Sequence, residues 1–368
     1  MTKLKSRSTA LALSLSLFSL TSAWAQGQPP PPTPIDAAAQ RDVVKSLSAQ
    51  LQSSYIFPDV ARDVSTKLIA KQLSGGYAAA KDAQSFAKAL AGDLRAMGKD
   101  SHFQVAYAPE FRAGPSLGGA PTAAQVEEAR KEITANGFGI ERVERLSGNV
   151  GYLDIRGFGP TEHVGEAITS AMRLLSGTSA MIIDLRRNGG GEPSSVAHLM
   201  SHFFAQGDER HLNDIYTRPN QKTRQYWTNP AVPVRYSKPV YVLISARTFS
   251  GGEECAYDFQ TQKRATLVGE VTGGGANPGE GFALSQGFAA FIPTGKAVNP
   301  VTGSNWEHVG VKPDVAVPAA DALKTAHATI LRSLVADSKE AGEREWLQDM
   351  LAGVESGVVK PVDYGRMR

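Results

Sequence analysis

The stretch from Val240 to Gln262 runs from a buried strand through a tight turn into a helix. Apolar residues fill Val240–Ser245, the turn Phe249-Ser-Gly-Gly252 follows, and a helical pattern continues to Gln262. A short apolar run that ends in a glycine turn and enters a helix is typical of α/β folds. Ser250 therefore lies at a strand-to-helix junction, where the first backbone N–H groups of the helix have no partner within it.

A serine at such a junction has two uses, and the residues alone leave both open. The structural use is a helix cap, because Ser250 and Glu253 form the Ser-x-x-Glu pattern of a capping box. The catalytic use is as a nucleophile, since the unpaired N–H groups and the positive end of the helix dipole can stabilise an oxyanion.

Strands and helices alternate through the middle of the chain. One unit runs from the strand Ala180–Leu185 through a Gly-rich loop to a helix over Pro193–Phe204, and Val240–Gln262 repeats this order. Such alternation predicts an α/β core. Before it, apolar residues recur at helical spacing from Asp36 to about Met97, which predicts an N-terminal helical bundle.

The N-terminal residues have the features of a secretory signal peptide. A basic segment with Lys3, Lys5 and Arg7 precedes a Leu-rich apolar run and the small-x-small pattern Ala23-Trp-Ala25. We expect cleavage after Ala25 and export, to a bacterial periplasm or the medium, with no stable membrane insertion afterwards. The predicted organisation is a signal peptide (1–25), a Pro-rich linker (26–35), a helical domain (36–113), an α/β catalytic core (114–330) and a helical tail (331–368).

Charge and cysteine content exclude several classes of function. The chain has 39 Lys and Arg against 36 Asp and Glu, and residues 1–25 hold three of the basic ones, so the remainder is balanced. A balanced chain has no electrostatic footprint for nucleic acid. Cys255 is the only cysteine, so no intramolecular disulfide forms, and we expect it to be a small buried hydrophobe.

The Gly-rich loop and the histidines are further candidates for chemistry. Asp184-Leu-Arg-Arg-Asn-Gly-Gly-Gly191 lacks the Gly-Lys-Ser/Thr of a phosphate loop, but its N–H groups could bind an oxyanion. His198 and His202 stand four apart on a predicted helix, yet no third ligand follows at metal-site spacing, so ordinary histidines are favoured. We expect no metal ion and no cofactor.

Six segments together resemble one family. They are Asp100-Ser-His, Gly151-Tyr-Leu-Asp-Ile, Asp184-Leu-Arg-Arg-Asn-Gly-Gly-Gly, Arg247-Thr-Phe-Ser-Gly-Gly-Glu-Glu, Val268-Gly-Glu-Val-Thr-Gly-Gly-Gly and Asn305-Trp-Glu-His-Val-Gly-Val-Lys-Pro-Asp. In this order the chain resembles the S41 serine peptidases, which include the C-terminal processing proteases, the tricorn core protease and the interphotoreceptor retinoid-binding protein modules. The interval from Phe103 to Gly151 is too short for the PDZ domain that many members carry, which points to a PDZ-less bacterial branch.

The resemblance implies a crotonase-like (ClpP-like) ββα core with Ser250 as nucleophile and Gly251, Gly190 and Gly189 as oxyanion donors. The lysine of the Thr-x-Gly-Lys-Gly motif is absent from Thr272-Gly-Gly-Gly275. The resemblance to the tricorn branch instead implies His102 as base, Glu307 as its orienting carboxylate and Ser101 as an assisting residue. Should His102 not be the base, Lys296 and Lys263 are the alternatives.

The sequence is compatible with three functions. The first is an exported serine peptidase that acts on polypeptides; the second is a module that binds a hydrophobic, retinoid- or lipid-like ligand; the third is a non-peptide acyl hydrolase. Fold alone does not separate them. The sequence leaves open the substrate, endoproteolytic against C-terminal cleavage, and the oligomeric state. The glycine-rich segment Gly273–Gly281 is a candidate for a moving loop.

Overall fold

The computed structural model describes residues 31–111 and 123–358, so the predicted signal peptide and residues 26–30 of the linker lie outside the described residues. In these ranges the α-helices are α1 (Ala37–Ser54), α2 (Pro58–Leu73), α3 (Ala83–Gly98), α4 (Ala123–Ala135), α5 (Thr161–Leu175), α6 (Pro193–Ser201), α7 (Gly251–Thr261), α8 (Ala322–Asp337) and α9 (Ala341–Ser356). The strands are β1 (Gln104–Tyr107), β2 (Ile140–Leu146), β3 (Val150–Ile155), β4 (Ala180–Asp184), β5 (His211–Thr217), β6 (Lys222–Trp227), β7 (Val240–Ile244), β8 (Thr266–Gly269), β9 (Gly279–Ala283), β10 (Phe288–Pro293), β11 (Gly295–Val298) and β12 (Val315–Ala316).

The chain forms two compact units. The first comprises the described residues up to Ala129 together with Gly279–Thr294, and the second comprises Arg130–Pro278 and the described residues from Gly295 onward. The segment that carries β9 and β10 thus leaves the second unit and returns to it.

Helices α1, α2 and α3 dominate the first unit, which confirms the predicted helical N-terminal region. Each buries a stripe of apolar residues at helical spacing, as in Val43, Leu47 and Leu51 of α1. The Asp82 carboxylate caps α3 by accepting the Ser85 N–H at 2.7 Å. A three-stranded antiparallel sheet in the order β1-β10-β9 completes this unit; no sequence pattern predicted it.

A mixed six-stranded sheet forms the centre of the second unit, in the order β12-β8-β7-β4-β3-β2. Neighbouring strands are parallel except β2, which runs antiparallel to β3. Alternate residues face opposite sides, so Leu153 and Ile183 pack with α5, α6 and α7, while Tyr152 and Ile182 pack with α8. Burial on both faces explains the nearly continuous apolar runs of these strands. The predicted α/β class is confirmed.

A second sheet of this unit has the order β11-β5-β6, which the sequence patterns did not predict. The glycine-rich segment is also more regular than predicted, because Gly279–Ala283 forms β9 and pairs with β10. None of the helices in the described ranges is long and apolar enough to cross a membrane.

The parallel pairing of β4 with β7 positions the candidate site. Asp184 and Leu243 are partners in this pairing. Because the carboxyl ends of neighbouring parallel strands meet at one edge of a sheet, the Gly-rich loop after β4 and the turn before α7 emerge side by side.

Candidate active site

Ser250 has a backbone conformation that an ordinary helix cap does not need. Its φ is 53° and its ψ is −121°, a region that residues with a Cβ rarely occupy. The caps of α1 and α3, Asp36 and Asp82, are extended instead, and their side chains accept the expected hydrogen bonds. Strained backbone of this kind costs stability and clusters at functional sites, which favours the catalytic reading of Ser250.

The Gly-rich loop after β4 packs directly on the Ser250 turn. Gly190 has a φ of 104°, and a Cβ at this residue would lie 2.7 Å from the Ser250 Cβ. The buried Asn188 joins the two segments, because its carbonyl oxygen accepts the Phe249 N–H at 3.0 Å and its side-chain amide donates to Ile155 O. Only glycine fits at Gly190, which explains the Gly-Gly-Gly sequence of this loop.

Two of the predicted oxyanion donors point elsewhere. The Gly190 N–H donates to Asn188 Oδ1 at 2.8 Å, and the Gly189 N–H donates to Arg156 O at 3.1 Å. Among residues 31–111 and 123–358, no acceptor takes the N–H of Gly191 or of Gly251. Gly191 N would lie 3.0 Å from a Cβ on Gly251, so the two residues are in close contact. The loop residue with an available N–H is therefore Gly191, and the predictions for Gly189 and Gly190 need this correction.

Glu253 does more than the predicted capping box requires. Its Oε2 accepts the Ser250 N–H at 2.9 Å and the Gly275 N–H at 2.8 Å. Its Oε1 accepts the Thr272 hydroxyl at 2.5 Å and the Gly274 N–H at 2.6 Å. Burial raises the pKa of this fully buried carboxyl, and the four donors oppose that shift.

Glu307 lies in the turn between β11 and β12. Its Oε2 accepts the Ala276 N–H at 2.5 Å, and its Oε1 lies 3.5 Å from Nδ1 of the exposed His308. The Asn305 side chain accepts the Glu307 N–H at 3.0 Å, which holds the turn that carries this carboxylate.

His102 and Ser101 belong to the first unit, in the turn after α3. Asp100 is buried there and its Oδ1 accepts the His102 N–H at 3.0 Å, while the same oxygen lies 3.4 Å from His102 Nδ1. The Tyr55 hydroxyl donates to Asp100 Oδ2 at 3.4 Å. His102 is 7% exposed and Ser101 is exposed.

The second unit brings together Ser250, Gly251, Gly190 and Gly191, and it also holds Glu307.

Comparison with known proteins identifies the family. The model of peptidase family S41 matches residues 149–317, and the model of the N-terminal domain of peptidase S41 in eukaryotic IRBP matches residues 37–141. The chain belongs to peptidase family S41.

Curated relatives of this S41 member are processing peptidases. Carboxyl-terminal-processing peptidase 2, chloroplastic, of Arabidopsis thaliana is 27% identical over 180 residues, which are 47% of this chain and 32% of that protein. Carboxy-terminal processing protease CtpB of Bacillus subtilis is 26% identical over 176 residues, which are 47% of this chain and 35% of that protein. The chain thus spans about a third of the length of these relatives.

The structure of mature CPAF complexed with lactacystin resembles this S41 member in fold. The TM-score is 0.54 at 14% identity, and the likeness covers 87% of this chain and 99% of that chain.

The paired histidines of this S41 member are hydrogen-bonded within the protein. His198 Nε2 lies 2.9 Å from Thr169 Oγ1 and 3.0 Å from Gly165 O, and His202 Nδ1 lies 2.8 Å from Val234 O. Burial lowers the pKa of both, that of His202 to about 4. These contacts identify them as neutral core histidines.

Helix α7 of the S41 fold also buries two carboxyls, which no motif in the sequence pointed to. Glu254 and Asp258 stand one turn apart, and burial raises the pKa of both. Cys255 lies between them, fully buried as predicted, and burial raises the pKa of its thiol. A buried thiol held in its neutral form is a poor nucleophile.

Proposed function

We propose that this S41 member is a serine peptidase that hydrolyses polypeptides through an acyl-enzyme on Ser250, with His102 as general base. The observation that carries the proposal is the strained backbone of Ser250 beside the N–H groups of Gly251 and Gly191. A residue that only caps the helix does not need this strained conformation. A nucleophile does benefit from it, because the conformation holds the serine beside the oxyanion donors.

In the proposed reaction His102 takes the hydroxyl proton of Ser250 as Oγ attacks the scissile carbonyl carbon. The N–H groups of Gly251 and Gly191 stabilise the resulting oxyanion. The C–N bond then breaks and the proton passes from His102 to the leaving amine. Water hydrolyses the acyl-enzyme by the same route. Glu307 orients the imidazole.

The roles of His102, Glu307 and the assisting Ser101 rest on their motifs. Asp100 adds support from geometry within the first unit, because it contacts both the backbone N–H and Nδ1 of His102. Asp100 therefore restricts the position of the His102 side chain, and the orienting role proposed for Glu307 rests on its motif alone.

The remaining expectations belong to the same proposal. We propose a crotonase-like (ClpP-like) ββα core, supported by the parallel strands β3, β4, β7 and β8 and the helices between them. Export to the periplasm or medium is supported by the signal-peptide pattern. C-terminal processing is supported by the likeness of this chain to the processing peptidases of Arabidopsis thaliana and Bacillus subtilis.

A serine-directed fluorophosphonate tests the proposal. We expect an adduct on Ser250 by mass spectrometry, no adduct on Ser250→Ala, and labelling slowed by several orders of magnitude in His102→Ala. His308→Ala is the matched control, because His308 contacts Glu307 yet is exposed, and this variant should label normally. An unlabelled, folded wild-type protein would contradict the proposal.

A second function, binding of a hydrophobic ligand, is favoured by one observation. Residues 37–141 match a model described for the N-terminal domain of this family in eukaryotic IRBP. Retention of a radiolabelled retinoid or fatty acid would support this alternative if the folded protein also does not react with the fluorophosphonate.

A further inference from the structure

Glu253 connects segments that are distant in sequence. Ser250 is three residues away, but Thr272, Gly274 and Gly275 are about 20 residues away, and all four donate to the same carboxylate. The carboxylate is fully buried, and each of its two oxygens accepts two hydrogen bonds. A local cap needs only the first of these four contacts.

The segment that Glu253 holds is bonded in turn to the turn that carries Glu307. The Trp306 Nε1–H donates to Gly275 O at 2.7 Å, and the His308 N–H donates to Gly274 O at 2.9 Å. Three residues after His308, the Val311 N–H donates to Thr272 Oγ1 at 2.7 Å. A continuous series of hydrogen bonds therefore runs from the Ser250 N–H through Glu253 to residues 306–311.

We propose that Glu253 is a positioning residue that fixes the backbone of Ser250 relative to the segment 272–276 and, through it, to the turn that carries Glu307. The consequence for catalysis rests on the proposed peptidase function. Glu253 does not touch the reacting atoms in this proposal; it acts by holding Ser250 in its strained conformation.

The chemistry of the four partners requires a carboxylate. Three of them are backbone N–H groups, which can only donate. The fourth is the Thr272 hydroxyl, which accepts the Val311 N–H and donates its own proton to Glu253. Glutamine would keep the shape but bring an NH₂ group against buried N–H donors. Hydrogen bonds to an ionised acceptor are stronger than those between neutral groups. Such bonds can keep Ser250 in a strained backbone conformation.

Glu253→Gln tests the proposal, with Glu254→Gln as matched control on the next residue of the same helix. We expect Glu253→Gln to lower the limiting rate of fluorophosphonate labelling about 10²-fold, because small misplacements of a nucleophile cost this much. The probe concentration at half-saturation should stay unchanged, since binding of the probe is not affected. Glu254→Gln should label at the wild-type rate.

Amide hydrogen exchange provides a readout that does not depend on activity. In Glu253→Gln, peptides that cover residues 248–252, 272–276 and 305–311 should exchange faster than in wild type, and in Glu254→Gln they should not. Unchanged exchange, or unchanged labelling with wild-type protein active, would overturn the proposal. If wild type itself does not label, the peptidase function is wrong, and the exchange result alone decides the role of Glu253.

Thr272 supplies a second pair of variants if Glu253→Gln fails to fold. Thr272→Val removes one of the four donors, and Thr272→Ser restores the hydroxyl. We expect slower labelling and faster exchange at 272–276 in the valine variant and recovery of both in the serine variant. Equal behaviour of the two variants would contradict the proposed network.

Discussion

Gly190 lies so close to Ser250 that a Cβ on the glycine would stand 2.7 Å from the Cβ of the serine. The same Cβ would lie 2.8 Å from Gly251 N, and the φ of Gly190 is 104°. Gly190→Ala should therefore displace the turn and lower the free energy of unfolding by at least about 2 kcal/mol. Urea unfolding measures the loss, and slower labelling of Ser250 reports the displacement.

Gly207→Ala separates the effect of a positive φ from the effect of close contact with Ser250. Gly207 has a φ of 84°, but no atom lies within 4 Å of a Cβ placed there. This variant should lose only about 1 kcal/mol of stability through backbone strain and should keep the labelling rate. Equal losses in the two variants would show that contact with Ser250 does not matter.

The strain at Ser250 predicts an unusual order of stability among its own variants. Glycine adopts φ 53° and ψ −121° without a Cβ penalty, so Ser250→Gly should be more stable than Ser250→Ala by about 1 kcal/mol. Thermal unfolding of the two proteins measures this difference. At Ser74, where φ is −79°, the order should reverse and alanine should be the more stable substitution. If alanine is also the more stable residue at position 250, the backbone there is not strained.

Local patterns predicted the elements that carry the site. The apolar run of β7, the glycine turn and the helical spacing of α7 are short-range features, so they could be read from residues 240–262. The capping-box pattern likewise identified the bond between Glu253 and the Ser250 N–H.

Long-range pairings could not be predicted in this way. Strand β1 pairs with β10, and Val105 and Ala290 are partners although 185 residues separate them. The contacts of Glu253 with Thr272, Gly274 and Gly275 span 19 to 22 residues, which is also beyond the reach of a capping pattern. The direction of the Gly190 N–H depends on the side chain of Asn188, which no periodic pattern reveals.

The two lysines that were alternatives to His102 are both exposed. Lys263 follows the end of α7 and Lys296 lies on β11. A lysine that serves as a general base must lose its proton at neutral pH, which requires burial or a neighbouring cation. We expect Lys263→Ala and Lys296→Ala to label with fluorophosphonate at the wild-type rate. A large loss in either variant, with wild-type stability, would assign the base to that lysine.

The buried carboxyl of Glu254 predicts how stability depends on pH. Its ordinary pKa is 4.5, and burial raises it to about 8 in the folded protein. The buried amide of Asn213 opposes this shift, whereas Glu192 adds to it. Asp258, one helical turn away and beside the Asn299 amide, has a raised pKa for the same reason.

The folded protein therefore retains a proton on Glu254 that the unfolded chain releases between about pH 4.5 and 8. Because the unfolded state binds fewer protons in this window, stability falls as the pH rises through it. Glu254→Gln stays neutral at every pH, so its unfolding free energy should fall less steeply and should exceed that of wild type at pH 8. Glu345→Gln, at an exposed site on α9, should follow the wild-type slope. Urea unfolding at a series of pH values measures these slopes, and a parallel profile for Glu254→Gln and wild type would mean that Glu254 is ionised in the folded protein.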